Sequence, residues 1–231
     1  MMGRSHCVIG GLVGLGIGYI ALGPMDPAGI VASSAIGAGA GLLPDLDEPG
    51  STVSHFGGLG TICVSSIVRT LARGHRKGTH SLLGIGVFGL LFLFLSWLSP
   101  HSLACVAGLL AALVARVACS QLRLLHLMRY LVEIIFGSVI GWLALSVSPR
   151  TIIAIIVTGM ISHCLGDDLT DGGTPWLWPA NHRFSMHLFH TGSKTESVIF
   201  WVLVGILGWA LFVVVGTHTT TLVHELAAQV R

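Results

Sequence analysis

Residues 197–216 read SVIFWVLVGILGWALFVVVG, a run without one charged side chain. A bilayer core about 30 Å thick takes about 20 residues of α-helix. Backbone in lipid must satisfy its own hydrogen bonds, so this run reads as a membrane-crossing helix. Working outward, runs of the same kind cover 8–22, 29–43, 81–98, 103–118, 131–147 and 151–165. The fold class expected is all-α, a polytopic transmembrane helix bundle with about seven apolar segments. The whole chain agrees: 53% of its 231 residues are hydrophobic and 10% charged, outside the range of water-soluble domains. Its 31 glycines would weaken isolated helices in water but let helices in lipid approach closely. No repeat or linker divides the chain, so 1–231 reads as a single membrane-embedded domain.

With 12 basic and 10 acidic residues there is no basic field to suit nucleic acid. Cys7, Cys63, Cys105, Cys119 and Cys164 have no paired spacing and read as apolar fillers. The start of the chain has no small-x-small cleavage site before Pro24, so it reads as a retained first helix. Residues 62–71 are too short to cross and run into Arg73, Arg76 and Lys77, the pattern of an interfacial helix. Positive loops stay in the cytoplasm. A cytoplasmic N-terminus puts Arg4, Arg69, Arg73, Arg76, Lys77, Arg123, Arg129, Arg183 and Lys194 on that side and leaves Arg150 and Arg231 opposite. Arg116 falls inside a span.

The polar residues gather at the ends of these spans. PDLDEP (44–49) closes the second, with carboxylates at Asp45, Asp47 and Glu48. It fits either a helix-ending turn with proline as breaker or a set of ligands. HRKGTHS (75–81) precedes the third span; a basic anchor with Thr79 or Ser81 as helix cap accounts for Arg76 and Lys77 but not for His75 and His80. SHCLGDD (162–168) closes the sixth and sets His163 and Asp167 one helical turn apart, where they can share a divalent cation or orient one another. His6 opens the first span and Glu196 the seventh, so five helix ends bring Asp and His to one face. His55, His182, His187 and His190 lie in the polar loops, His126 in a basic interface stripe, and His101, His218 and His224 on the opposite side, read as solvated. Trp176-Leu177-Trp178-Pro179 reads as an interfacial aromatic anchor.

LLPDLDEPGS, GHRKGTHSLLG and SHCLGDDLTDGGTPWLWP, in that order, resemble the motifs of the YdjM-like bacterial inner-membrane metal-dependent hydrolases. The resemblance runs from the first span to Pro179, and Glu196 matches an acidic residue before the family's last helix. It implies a multi-pass protein of the bacterial inner membrane. By the same resemblance His6, Asp45, Asp47, His80, His163 and Asp167 are metal ligands or their close partners, with His75 and Arg76 beside them. Glu48 departs from the pattern, which has histidine there, and a carboxylate would make the site harder.

The activity expected is metal-dependent hydrolysis. A divalent ion, zinc first with manganese or magnesium as alternatives, lowers the pKa of a bound water. His75 or Glu196 moves the proton and Arg76 meets the developing negative charge. A site at the membrane surface points to membrane lipid as substrate, through a phosphoester or ester bond. Two other readings stand beside it. A proton or metal-ion transporter would use the same His/Asp groups, and a structural metal would need a closed coordination shell.

Overall fold

All seven apolar stretches form α-helices. The computed structural model describes residues 1–99, 101–122, 125–180 and 182–229, with side chains as far as 217. The helices are α1 (Gly3–Leu22), α2 (Pro27–Ala40), α3 (Leu59–Leu71), α4 (Leu82–Leu98), α5 (Ser102–Gln121), α6 (His126–Leu143), α7 (Pro149–Asp168) and α8 (Lys194–Gln229). Among the described residues no strand forms, only isolated bridges between Thr170 and Phe189 and between Thr174 and Phe184. Arg123 and Arg231, and the side chains of His218 and His224, lie outside the described residues.

Among the described residues six helices are long and apolar enough to cross a membrane: α1, α2 with the turn after it, α5, α6 with its turn, α7, and α8 to Thr217. The helix α4, at 17 residues, is shorter. It still runs the length of the bundle, antiparallel to α7. Its Leu82 N–H donates to the Trp176 carbonyl just past the end of α7 (3.0 Å), and at its other end Phe94 and Trp97 share a cleft with Pro149 and Ile153. The expected count of about seven thus resolves into six long helices and one short one. The interfacial segment forms as α3, three residues earlier than its apolar run suggested, with Leu59, Val64, Ile67 and Leu71 exposed. Helix α6 also starts early, which puts His126 and Arg129 on its first turns.

Packing follows from small residues. The central helix, α2, is buried along almost its whole length among α1, α5 and α7. A β-carbon on Gly37 would run into the Gly10 carbonyl oxygen, and one on Gly10 into that of Gly37, so glycine at both positions is what lets α1 and α2 touch backbone to backbone. Gly108 and Gly137 do the same for α5 and α6, where an added β-carbon would lie 2.8 Å from the facing carbonyl oxygen.

Arg116, which hydropathy alone leaves unexplained inside a span, has a partner across this helix pair. Its Nε and Nη2 donate to the two oxygens of Glu133 at 2.9 and 2.7 Å, and its guanidinium lies 4.8 Å from the centroid of Phe56. A two-pronged pair of this kind makes burial of both charges tolerable.

Candidate metal centre

Helix α2 stops at Ala40 because Pro44, which has no N–H, cannot continue its ladder. The chain then makes a short tight turn over Leu43–Asp47, held by the Glu48 N–H on the Asp45 carbonyl (3.0 Å) and by the Ser51 hydroxyl on the same oxygen (2.8 Å). This turn aims Asp45 and Asp47 back toward the end of the bundle. A second short turn, Gly78–His80, leads into α4. Ser81 caps that helix through the Gly84 N–H (3.2 Å), which leaves Thr79 free for another task.

The structure brings His6, Asp45, Asp47, His75, Arg76, His80, His163 and Asp167 together. His6, Asp47, His80, His163 and Asp167 are essentially buried, while Asp45 keeps 20% of its side chain accessible, His75 28% and Arg76 19%. His163 and His80 face each other through their Nε2 atoms at 3.1 Å. Asp45 Oδ1 lies 3.6 Å from each of these nitrogens, and Asp167 Oδ2 lies 3.8 Å from His163 Nε2 and 3.9 Å from His80 Nε2.

The protons on these rings are fixed from behind. Nδ1 of His163 donates to the Gly41 carbonyl (2.7 Å), an atom that can only accept. Thr79 Oγ1 donates to Asp47 Oδ2 (2.5 Å), so its remaining contact, with His80 Nδ1 at 2.9 Å, has the imidazole as donor. Each neutral ring therefore turns a bare Nε2 lone pair inward, the arrangement that carbonyl and carboxylate partners give to metal-binding histidines.

Two bare nitrogens at 3.1 Å repel unless something positive lies between them or one is protonated. A tetrahedral ion with bonds of about 2.0 to 2.1 Å sets its donors roughly 3.3 Å apart. Among these atoms the His80 Nε2–His163 Nε2 pair lies at 3.1 Å and the four nitrogen–oxygen pairs to Asp45 Oδ1 and Asp167 Oδ2 at 3.6 to 3.9 Å, a looser cluster that an ion would draw in by a few tenths of an ångström. Both ring nitrogens of His6 are also buried with no hydrogen-bond partner among the described residues, although His6 Nε2 lies 3.2 Å from Asp167 Oδ1. Unsatisfied buried polar atoms are costly and rare. The donor set fits a divalent metal: His6, His163 and Asp167 form one potential ligand group and Asp45, His75 and His80 another. The His6 and His163 rings stack at 3.6 Å between centroids within the first group, and the 3.1 Å approach of His163 Nε2 to His80 Nε2 joins it to the second.

Arg76, on a backbone in the left-handed region (φ 53°), reaches the outer side of Asp167, with Nε 3.1 Å from Oδ2 and Nη2 3.2 Å from Oδ1. Asp167 Oδ1 also takes the α-ammonium of Met1. His75 Nδ1 donates to Asp47 Oδ1 at 2.8 Å. Burial lowers the His75 pKa, but the hydrogen bond to Asp47 and the charges of Asp47, Asp45 and Glu48 outweigh it and hold the imidazole above its ordinary value.

Glu196 is not drawn into this group. Its oxygens accept from Met2 N–H (2.6 Å), the Ser5 hydroxyl (2.8 Å) and Gly192 N–H (2.7 Å), while Ser193 caps the Glu196 N–H. That is a Ser-x-x-Glu helix start, and it ties α8 to α1. Glu48 sits at the margin, 38% exposed, paired with Arg69 at 3.3 Å and 3.8 Å from His75 Nδ1. Among the other histidines, His187 and His190 flank Asp171 on the surface, and His55 bonds to its own loop.

Sequence reasoning passed over two supporting residues. Thr79 was open to a capping role, and Asp168 is structural: its carboxylate accepts from Thr174 N–H (3.1 Å) and Trp176 Nε1 (2.6 Å). Trp176 is therefore a clamp between the end of α7 and the start of α4.

No curated protein and no solved structure matches the chain. The family model of the YdjM inner membrane protein matches residues 1–228. With its apolar helices, the chain belongs to the YdjM inner membrane protein family as a multi-pass membrane protein.

Proposed function

We propose that the protein is a metal-dependent hydrolase acting on a phosphoester or ester bond of a membrane lipid, at the cytoplasmic face of the inner membrane. The observation that carries this is the convergence of four donor atoms, two imidazole nitrogens each held from behind through Nδ1 and two carboxylate oxygens, with the nitrogens 3.1 Å apart and the oxygens 3.6 to 3.9 Å from them. The ion, zinc by the mixed N/O donor set with manganese or magnesium as alternatives, supplies a Lewis acid and an activated water.

The chain's own groups do the rest. Asp47 and Thr79 hold His80, and the Gly41 carbonyl holds His163, so neither ring has to reorient during reaction. Asp45, the donor with most access, faces the open side. His75, partly exposed and hydrogen-bonded through Nδ1 to Asp47, is placed to move a proton at the departing oxygen. Arg76 keeps Nη1 outside its fork on Asp167, and its charge favours an anionic substrate and the charge that builds up as the bond breaks. The cytoplasmic assignment rests on the basic loops at this end, which carry Arg4, Arg69, Arg73 and Lys77. Arg4 Nη2 lies 3.3 Å from Ser197 at the start of α8 and Nη1 3.5 Å from Gln121 at the end of α5, so these helix ends share one level.

The test is incubation of purified protein with phospholipids in the presence of Zn²⁺, Mn²⁺ or Mg²⁺. Release of headgroup or acyl product is expected, and His163→Ala or chelation should abolish it. No product under any metal, with the site shown by elemental analysis to be loaded, would refute the hydrolase. Metal-ion or proton flux into sealed proteoliposomes, lost in His163→Ala, would replace it with a transporter.

A further inference from the structure

A second feature adjoins the metal centre. Between α3 and α4 runs a cleft of about 340 Å³, walled by Val64 and Val68 on one side and Val87 and Leu91 on the other. Leu46 and Thr79 line it as well. Leu46 stands between the two metal-site aspartates, and Thr79 bonds to Asp47 and His80, so the cleft and the cluster share a wall. The hydroxyl of Thr79 is spent on those two partners and offers the cleft no free donor. Trp178 closes one side.

We propose that this cleft takes one hydrocarbon chain of an anionic phospholipid and so sets that lipid's phosphate beside the cluster. The choice of a phosphate-bearing ligand rests on the hydrolase reading above; the chain site rests on the cleft. Its volume is at the small end of the roughly 300 to 1,000 Å³ of ligand pockets, which suits one slender chain and excludes a whole lipid. Along α4 it extends from Leu83 to Leu91, about 12 Å at 1.5 Å per residue. Access is from the lipid side, since Val64 is 48% and Val87 58% exposed.

Charge selects the headgroup. Ala72 and Gly78 line the cleft, and their chain neighbours Arg73 and Lys77 are exposed, with no ion pair among the described residues. Arg69 and Arg76 are already committed to Glu48 and Asp167. Two uncommitted cations at the mouth of an apolar cleft complement an anionic headgroup above an acyl chain. The larger groove between α5 and α6 does not touch any of the cluster residues and serves as the control.

The test is photolabelling in detergent micelles with chelator present and limiting phosphatidylglycerol that carries a diazirine in one acyl chain. Adducts should map to α3 and α4. Their yield should fall at least fivefold in Val87→Trp, whose new ring fills the cleft, and stay unchanged in Leu109→Trp, which fills the α5/α6 groove. Unlabelled phosphatidylglycerol should displace the probe better than phosphatidylethanolamine does. Adducts spread equally over α6 and α8, or an unchanged yield in Val87→Trp, would overturn the chain site. Equal competition by the two lipids would overturn the anionic selectivity. A dimer cross-linked through α4 with no lipid adduct would assign the cleft to a second copy of the chain. Because labelling needs neither metal nor turnover, a labelled cleft without hydrolysis sinks the hydrolase alone, and hydrolysis without labelling sinks the cleft alone.

Discussion

Replacing Thr79 by valine removes one hydroxyl and little volume, and it strikes the centre at its support. In the native protein Oγ1 donates to Asp47 Oδ2 at 2.5 Å and accepts from His80 Nδ1 at 2.9 Å. His75 still holds Asp47 Oδ1 at 2.8 Å in the variant, so the aspartate stays anchored and the loss falls on His80. With Nδ1 released, the ring is free to move its proton to Nε2, and a protonated Nε2 has no lone pair to give. Removal of a partner behind a ligating histidine lowers metal affinity roughly 10- to 100-fold. At about 1.4 kcal/mol per factor of ten this is roughly 1.4 to 2.8 kcal/mol, close to the roughly 1.5 to 3 kcal/mol of a hydrogen bond to a charged group. The assay is competitive titration of Zn²⁺ against a chromogenic chelator with protein in detergent. Thr79→Ser, which keeps the hydroxyl, is expected to bind as the native protein does. Native affinity in Thr79→Val, or an equal loss in Thr79→Ser, would refute the reasoning.

Asp167→Ala should strip bound metal in elemental analysis of the purified protein; unchanged content would remove that residue from the site. Gly172 packs against Arg76 so closely that a β-carbon there would displace Nη1, so Gly172→Ala should open the Arg76 fork and cut turnover while the melting temperature holds. A drop in melting temperature with turnover intact would count against it. Gly37→Ala should destabilise by about 1 to 3 kcal/mol, the usual cost of overpacking. Gly16→Ala, where nothing lies within 4 Å, should be silent, and equal thermal shifts in detergent would contradict the close-contact account. Glu133→Ala leaves Arg116 without its partner and should cost roughly 3 to 5 kcal/mol, read as a lower melting temperature with metal content preserved.

Much of the fold was legible because a membrane reduces the choice of structure to helices and makes their length visible as hydropathy. What hydropathy does not register is helix that continues past the apolar run. Helix α6 begins at His126 because nothing in His126-Leu127-Met128-Arg129 breaks a helix. Spacing along one helix brought out His163 and Asp167, and the alternation of spans brought His6, Asp45, Asp47 and His80 to their level. Glu196 was out of reach for the same method: its level is right, but a Ser-x-x-Glu start turns the carboxylate onto backbone N–H groups, and level alone does not say where a side chain points. Thr79 shows a further limit, since a hydroxyl next to a helix start fits a cap, and only the position of Asp47 across the turn decides otherwise.

The glycine content and the polar cluster, which the sequence presents as separate facts, are one arrangement in space. Gly41 approaches the His6 carbonyl so closely that a β-carbon would lie 2.5 Å from its oxygen. Gly159 on α7 faces Ala40, where a β-carbon would lie 2.8 Å from the alanine methyl, and a β-carbon on Gly166 would lie 3.3 Å from the His6 ring. Helices α1, α2 and α7 can therefore close to backbone contact just below the site. That approach puts the Gly41 carbonyl within 2.7 Å of His163 Nδ1 and stacks His6 on His163. The carbonyl is available because α2 ends there and its last oxygens have no helical N–H to accept. A helix terminus supplies the acceptor, the glycines supply the distance, and together they fix which nitrogen of His163 faces the metal centre. A bulky residue at Gly41 or Gly159 would thus act on the centre by separating the helices that carry it, without touching any ligand.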